Sequence, residues 1–181
     1  MNVIGIESSC DDTSVALVDE QGTISSSVVV AQHVIHNNFG GVYPEFASRA
    51  HIANIIPAID EALSQSNILI EDIEAIGVTR GPGLVGSLLV GLNTAIALGL
   101  SWNKKVIGIN HLRGHLRSAE LEGGEIVYPA LILLVSGGHT FLAHMADKNT
   151  ISLLGTTRDD SIGEAYDKVG RMIGLGYPAG R

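Results

Sequence analysis

Apolar and polar residues recur along this chain with two different periods, and the periods predict the elements. Val3-Ile4-Gly5-Ile6, Ser14 to Val18 and Ile24 to Val30 are short apolar runs. The first two are separated by small polar residues, Glu7-Ser8-Ser9-Cys10-Asp11-Asp12-Thr13. The last two are separated by a turn at Asp19 to Gly22. Strand, polar turn, strand, hairpin, strand predicts a three-stranded meander. The same order returns later. Ala130 to Val135 reads as a buried strand, Ser136-Gly137-Gly138-His139-Thr140 as a small polar turn, and Phe141 to Met145 as a second strand. Asp147-Lys148-Asn149 turns the chain into Thr150 to Leu154. Two copies of one supersecondary unit suggest two related lobes facing a cleft. Gly123-Gly124 and Pro129 mark a boundary, so the expected domains are 1–124 and 125–181.

Between the meanders the period lengthens to that of helices. His33 to Gly41 reads as an irregular loop. A helical pattern then follows Pro44 through Phe46, Ala47, Ala50, Ala53, Ile55, Ile56, Ile59 and Leu63. Pro57 should kink that helix or start a second one. Glu45, Arg49 and His51 read as its solvated face. Ala75 to Thr79 is a strand, Leu84 to Leu100 an apolar helix, and Val106 to Ile109 a buried strand. Ser87, Asn93 and Thr94, with Gly86, Gly91 and Gly99, make Leu84 to Leu100 a core helix rather than a membrane span. His111 to Leu121 is helical. Ile162 to Ile173 is an amphipathic helix whose apolar stripe is Ile162, Ala165, Val169, Met172 and Ile173. Asp159, Asp160 and Ser161 supply its N-terminal charge and cap. Gly174 and Gly176 stop it, and a loop runs from Gly176 to Arg181. The second lobe has no counterpart to the long helices of the first and reads as cut short.

Composition narrows the class. The 181 residues are 45% hydrophobic and 17% charged, with 22 glycines and few aromatics, so the core must be aliphatic and Ala/Gly-packed. A net charge of −8 makes the chain a poor non-specific nucleic-acid binder. Contact with RNA would need a local basic patch or a basic partner. The single Cys10 excludes an internal disulfide framework and suits a reducing compartment. The N-terminus lacks a signal-peptide pattern, so a cytoplasmic protein is expected, with no membrane partner.

Three stretches can carry chemistry. His111 and His115 stand one helical turn apart, a spacing that lets two imidazoles close on one divalent cation. Partly buried histidines held by backbone groups are the plainer reading. The small-residue turns at Glu7 to Thr13 and Ser136 to Thr140 can present backbone N–H groups as anion nests, two of which would suit a phosphate chain. They can equally be ordinary loops. Arg80-Gly81-Pro82-Gly83-Leu84-Val85-Gly86-Ser87 can approach an anion or simply permit close packing. It is not a Walker A loop, because no Gly-Lys-Ser/Thr follows.

Taken together, the motifs resemble the TsaD family of tRNA threonylcarbamoyladenosine synthases, formerly called O-sialoglycoprotein endopeptidases. The matching blocks are Gly5-Ile6-Glu7-Ser8-Ser9-Cys10-Asp11-Asp12-Thr13, Phe39-Gly40-Gly41-Val42-Tyr43-Pro44-Glu45 and Ala47-Ser48-Arg49-Ala50-His51. They continue with Gly81-Pro82-Gly83-Leu84 through Gly91, Asn110-His111 through His115, Leu134 through Thr140, and Asp167-Lys168 through Gly180. The resemblance implies an α/β, actin-like ATPase (ribonuclease H-like) fold. It implies a metal-dependent acyltransferase that moves threonylcarbamoyl from threonylcarbamoyl-AMP to the amine of the adenosine beside the anticodon. It implies that His111 and His115 hold a metal, iron(II) before zinc, and that Asp11 is needed for activity. It further implies that Leu134, Val135, Ser136, Gly137 and Gly138, with Asp167 and Gly180, line the nucleotide substrate, and that tRNA and TsaB-like and TsaE-like proteins are partners. Members of the family are longer and bring a further aspartate ligand, so this chain alone is expected to bind metal weakly and to transfer nothing. Lys105 and Arg113 depart from the family pattern harmlessly.

Three rival readings remain. A zincin peptidase needs His-Glu-x-x-His, but Leu112 follows His111, so the base is missing. A non-catalytic TsaB-like subunit would lack the two histidines. A sugar kinase or ATPase of the same fold would need an aspartate placed for a hydroxyl acceptor, and none is identifiable.

Overall fold

β1 (Asn2–Glu7) alternates as a half-buried strand should, with Ile4 and Ile6 turned into the core. β2 (Asp12–Asp19) buries Thr13, Val15 and Leu17 on the same rhythm, and β3 (Ile24–Ala31) completes an antiparallel meander. The computed structural model describes residues 1–37 and 39–180. Asn38 and Arg181, which fall within two of the expected loops, lie outside the described residues. After the meander the chain crosses over twice through helices. β4 (Ile73–Gly81) and β5 (Lys105–Asn110) are therefore parallel to β1, as helical crossovers require. The result is a mixed five-stranded sheet in the order β3-β2-β1-β4-β5.

α2 (Pro44–Ser66) and α3 (Val85–Trp102) supply the crossovers. α2 has Pro44 in its first turn, where a missing N–H costs nothing. Both helices end on an asparagine with positive φ, Asn67 and Asn103, a residue type that tolerates the left-handed region. Pro57 lies inside α2 without dividing it into two helices. α3 is long and apolar enough to cross a membrane by length and composition. In this fold it turns Ser87, Gly91, Ala95 and Gly99, spaced by four, into the protein. That stripe of small residues brings its backbone close to its neighbours. Ile4, Val15, Leu17, Ile55, Ile59, Ile73 and Ile76 form the aliphatic core that composition demanded.

The chain divides into two compact units, Met1–Ile35 with Val42–Leu112, and His36–Gly41 with Arg113–Arg181. The division falls before Arg113, whereas the glycine punctuation suggested residue 124. The reason is α4 (His111–Gly123), whose Leu116 packs into the second core with Leu134 and Met145. That unit holds a three-stranded antiparallel sheet, β6 (Ala130–Val135), β7 (Thr140–Met145) and β8 (Ile151–Thr156), followed by α5 (Ile162–Met172).

Three expectations change on contact with the structure. The 33–41 segment is not all loop: α1 (His33–Asn37) opens it, and His36 is fully buried. β5 and β6 form as expected, but neither is buried. Val106, Ile107 and Ile109 are exposed, and so are Leu131 and Leu133 at 64% and 63%. Both strands lie at the edge of their sheets, where half of the surroundings is missing. α5 forms where predicted but with the opposite face inward. Gly170 is buried and Gly163 partly so, while Val169 and Met172 are exposed at 55% and 83%.

Candidate active site

The first polar turn is built by its backing. Ser8 and Ser9 are buried, and the Ser8 hydroxyl donates to the Ser87 carbonyl at 2.9 Å. The Ser9 carbonyl accepts the Leu84 N–H at 2.7 Å. A Cβ on Gly83 would meet the Ser9 carbonyl oxygen at 2.5 Å, and one on Gly91 would overlap the Ser8 hydroxyl. Of the two readings of the Arg80–Ser87 loop, Gly83 thus serves close packing.

Glu7 closes β1 and gathers the turn around its carboxylate. Oε2 accepts the Thr79 hydroxyl at 2.6 Å and lies 3.0 Å from His111 Nδ1, while Oε1 accepts the Ser9 N–H. Ser9 Oγ stands 3.2 Å from the same His111 nitrogen. Burial alone would push the Glu7 carboxyl up, but these hydrogen bonds from His111, Ser9 and Thr79 together outweigh it and hold it at about 2. An unfolded glutamate titrates near 4.5, so the stabilisation Glu7 gives is complete above that pH and is lost as pH falls toward 2. Urea unfolding of wild type against Glu7→Gln should show a stability gap at neutral pH that closes between those two values. A gap that does not change with pH would contradict it.

His51, expected on a solvated face, is 0% exposed. Its Nε2–H donates to the Cys10 carbonyl at 3.0 Å, and its Nδ1 lies 2.7 Å from the Thr13 hydroxyl. It therefore clamps both ends of the segment that carries Asp11. Glu45 and Arg49 do form a solvated pair, at 2.8 Å. Glu7, Asp11 and Asp12 surround Cys10 with negative charge, and Ser9's N–H is spent on Glu7. The first turn is therefore no anion nest. It suits a cation or a polar hydrogen-bond donor. The Cys10 thiol reaches solvent, yet desolvation by the turn, followed by the charges of Asp11, Asp12 and Glu7, pushes it up to about 12. Alkylation by iodoacetamide at pH 8 should therefore run roughly a hundredfold or more slower than for an unfolded thiol, because only the thiolate attacks. A rate like that of the urea-unfolded chain would refute this.

The second turn is organised differently. Ser136 and His139 exchange hydrogen bonds, with the Ser136 N–H donating to the His139 carbonyl at 2.9 Å and the His139 N–H to Ser136 Oγ at 3.0 Å. The start of α5 is tied to this loop. Ser161 Oγ donates to the Gly137 carbonyl at 2.6 Å and also accepts the Glu164 N–H as helix cap. The Gly163 N–H donates to the Ser136 carbonyl at 3.2 Å. Gly137 and Gly138 are exposed, with open space where a Cβ would stand, so a ligand can reach their backbone. Leu134 differs from its neighbours: at 7% exposure its side chain belongs to the core, whereas Val135 is exposed.

Further along α5, Asp167 Oδ1 accepts the Ala179 N–H at 2.8 Å, which places Gly180 next to the residue it holds. Asp167 also lines a cavity of about 250 Å³ with Asn37, Phe39, Gly40, Arg171 and Tyr177. Arg171 donates to the Gly40 carbonyl at 3.4 Å. The Leu134–Gly138 block does not line this cavity. Sequence reasoning passed over Arg171, Gly163, Glu7 and His51 as site-builders.

His111 and His115 both lie on α4, one turn apart. A carboxylate on one ring nitrogen, as Glu7 is on His111 Nδ1, is the kind of partner that ligand imidazoles commonly have. Among the described residues no cluster of three or more His, Cys, Asp or Glu side chains is arranged to hold a metal.

The family model described as "TsaD: tRNA N6-adenosine threonylcarbamoyltransferase" matches residues 23–181. A relative of that name from Kosmotoga olearia is 51% identical over 180 residues, covering 99% of this chain and 54% of the relative. One from Clostridium botulinum is 49% identical, covering 99% and 53%. The chain spans about half the length of the curated relatives it matches. Among solved structures, YeaZ from Pseudomonas aeruginosa aligns with a TM-score of 0.57 at 18% identity, over 85% of this chain and 64% of that one. Component A of the Acidaminococcus fermentans (R)-2-hydroxyglutaryl-CoA dehydratase aligns with a TM-score of 0.57 at 12% identity, over 97% and 55%. These likenesses show an actin-like fold, and the sequence matches show that the chain belongs to the TsaD family of tRNA N6-adenosine threonylcarbamoyltransferases.

Proposed function

We propose that the protein to which this chain belongs transfers a threonylcarbamoyl group from threonylcarbamoyl-AMP to the exocyclic amine of an anticodon-adjacent adenosine in tRNA. The observation that carries this is the 51% identity, over 99% of the chain, to a relative named for that transfer. In the reaction the amine nitrogen bonds to the carbamoyl carbon, the mixed-anhydride C–O bond breaks, and AMP leaves with the electron pair. The attacking amine then gives up a proton. No serine or cysteine nucleophile is required. Cys10, held as a thiol by its surroundings, is unsuited to be one.

Each turn has its own proposed role. Ser136, Gly137 and Gly138 sit at the capped N-terminus of α5, where exposed backbone suits the leaving phosphate. Asp167 and the Gly180 loop it holds complete the nucleotide side of the site, with Leu134 contributing from the core and Val135 from the surface. Asp11, in the acidic first turn, is the proposed catalytic carboxylate, suited to an amine rather than to a phosphate. His111 and His115 would hold the metal, iron(II) or zinc, which when bound supplies Lewis acidity or a template for the substrate. The net charge of −8 makes basic partner surfaces useful in tRNA capture, and TsaB-like and TsaE-like proteins are the partners proposed, in the cytoplasm.

The test is to incubate the protein and its partners with threonylcarbamoyl-AMP and unmodified tRNA, digest the tRNA and look for threonylcarbamoyladenosine by mass spectrometry. Product that disappears in Asp11→Ala supports the proposal. Absence of product with wild type, or metal-dependent cleavage of a glycoprotein instead, would overturn it.

A further inference from the structure

We propose that His51 is the positioning residue for Asp11: from α2 it fixes the backbone on both sides of that carboxylate and so sets where Asp11 meets its substrate. This rests on the reading of Asp11 as the catalytic carboxylate. Cys10 and Asp11 are the part of the first turn that the sheet does not hold, since β1 ends at Glu7 and β2 begins at Asp12. Ser8 and Ser9 are seated on the start of α3 through the Ser87 carbonyl and the Leu84 N–H. Thr13 is paired with Val30 in β3. Between these supports, the Cys10 carbonyl is held by His51.

A carbonyl offers only lone pairs, so at 3.0 Å His51 Nε2 must donate to Cys10. The Thr13 hydroxyl both donates and accepts, so its 2.7 Å contact with Nδ1 stands whether the ring is neutral or doubly protonated. The ring is fully buried, with Ala47 and Ile55 buried one turn to either side on the same face of α2, so it cannot swing away. Gln32, also buried, adds longer ties between α2 and the turn. Its side-chain NH2 donates to the Ala47 carbonyl at 3.5 Å and its N–H to Asp12 Oδ1 at 3.4 Å. The Cys10 thiol in turn hydrogen-bonds the Asp11 carboxylate, so the residue that His51 grips also steers that carboxylate. A carboxylate that serves an amine must stand within hydrogen-bond reach of it, and a displacement of about 1 Å can cost about 100-fold in rate.

Two amides separate the contacts. The glutamine NH2 group can replace Nε2–H at the Cys10 carbonyl, whereas the shorter asparagine reaches only the Thr13 side. Leucine serves neither partner.

The experiment measures transfer from threonylcarbamoyl-AMP to tRNA by the protein and its partners, at a temperature where every variant is folded by circular dichroism. His51→Leu and His51→Asn should lower kcat by roughly 10- to 100-fold and leave the KM for threonylcarbamoyl-AMP unchanged, since the nucleotide is assigned to the second turn. His51→Gln should recover most of the rate. Rates that rank with melting temperature instead of with the contact kept would overturn the proposal. So would an unchanged kcat in folded His51→Leu, or a rise in KM alone. Long-range 1H–15N correlation on wild type needs no variant to fold: His51 should carry a proton on Nε2, and a ring bare at Nε2 would also overturn the proposal. If Asp11→Ala transfers as fast as wild type, the reading of Asp11 fails and the role of His51 falls with it. If Asp11→Ala is inactive while folded His51→Leu is not slowed, the role of His51 alone fails.

Discussion

Gly163→Ala should lower the stability of the second unit by about 2–3 kcal/mol, the upper part of what overpacking a tight site costs. A Cβ there would meet the Ser136 carbonyl oxygen at 2.5 Å and the Gly137 nitrogen at 2.7 Å. Both are backbone atoms of the loop proposed to hold the leaving phosphate, so no rotamer change relieves the contact. Replacing a helical glycine by alanine gains about 1 kcal/mol of helix propensity, too little to offset it. Either α5 or the Ser136–Gly138 loop must move, and the Gly163 N–H to Ser136 carbonyl bond goes with it. Melting should fall by roughly 5–10 °C. Hydrogen exchange should quicken in β6, β7 and the start of α5 but not in β1 and β2. Gly137→Ala is the contrast. Nothing lies within 4 Å of its Cβ position, so it should melt like wild type while weakening nucleotide binding. Equal melting of Gly163→Ala and wild type would show that the loop yields without cost.

Each turn is backed by a glycine at the start of a helix, Gly83 under Ser9 and Gly163 under Ser136. In each case a backbone N–H from that helix end binds the turn's carbonyl. The duplication seen as repeated strand order thus extends to how the turns are supported. Their chemistry diverges: Glu7, Asp11 and Asp12 make the first acidic, and the second is uncharged from Ser136 to Gly138.

The meanders were legible because strand alternation and turn residues act locally. Val3 to Ile6, Ser14 to Val18 and Phe141 to Met145 are strands because of their own side chains and nearest turns. Burial was less legible, because it depends on neighbours. Val106 to Ile109 and Ala130 to Val135 are apolar enough for a sheet centre, but each is an edge strand. Periodicity showed that α5 has two faces, but not that Gly163 and Gly170 would lie inward, the latter against Ala179. The contact between Glu7 and His111 was not legible at all. The pair is separated by 104 positions, and a glutamate ending an apolar run reads as the start of a turn. His51 was misread for the same reason. Helix position places it beside Glu45 and Arg49 at the solvated start of α2, whereas its partners Thr13 and Cys10 come from another part of the chain.

That buried imidazole carries the second large effect. His51→Leu should cost about 2–4 kcal/mol, measured by urea unfolding at neutral pH. It strands the buried Thr13 hydroxyl and the part-buried Cys10 carbonyl, which cost about 1–3 kcal/mol each when left unsatisfied, the carbonyl at the lower end because water can reach it. The leucine returns only part of this through its apolar surface, about 1.5 kcal/mol at most in a site shaped for a ring. Thr13→Val on the same background should recover some of the loss, since removing both partners of a hydrogen bond is cheaper than removing one. The Cys10 carbonyl stays unpaired in the double variant, so recovery should be incomplete. The segment between the two clamped points holds Asp11, and its loosening has a separate readout. Cys10 should alkylate faster in His51→Leu than in wild type as its sulfur gains solvent. A His51→Leu protein as stable as wild type, with Cys10 equally slow, would mean that β1 and β2 alone shape the turn, and Asp11 would owe its position to the sheet rather than to α2.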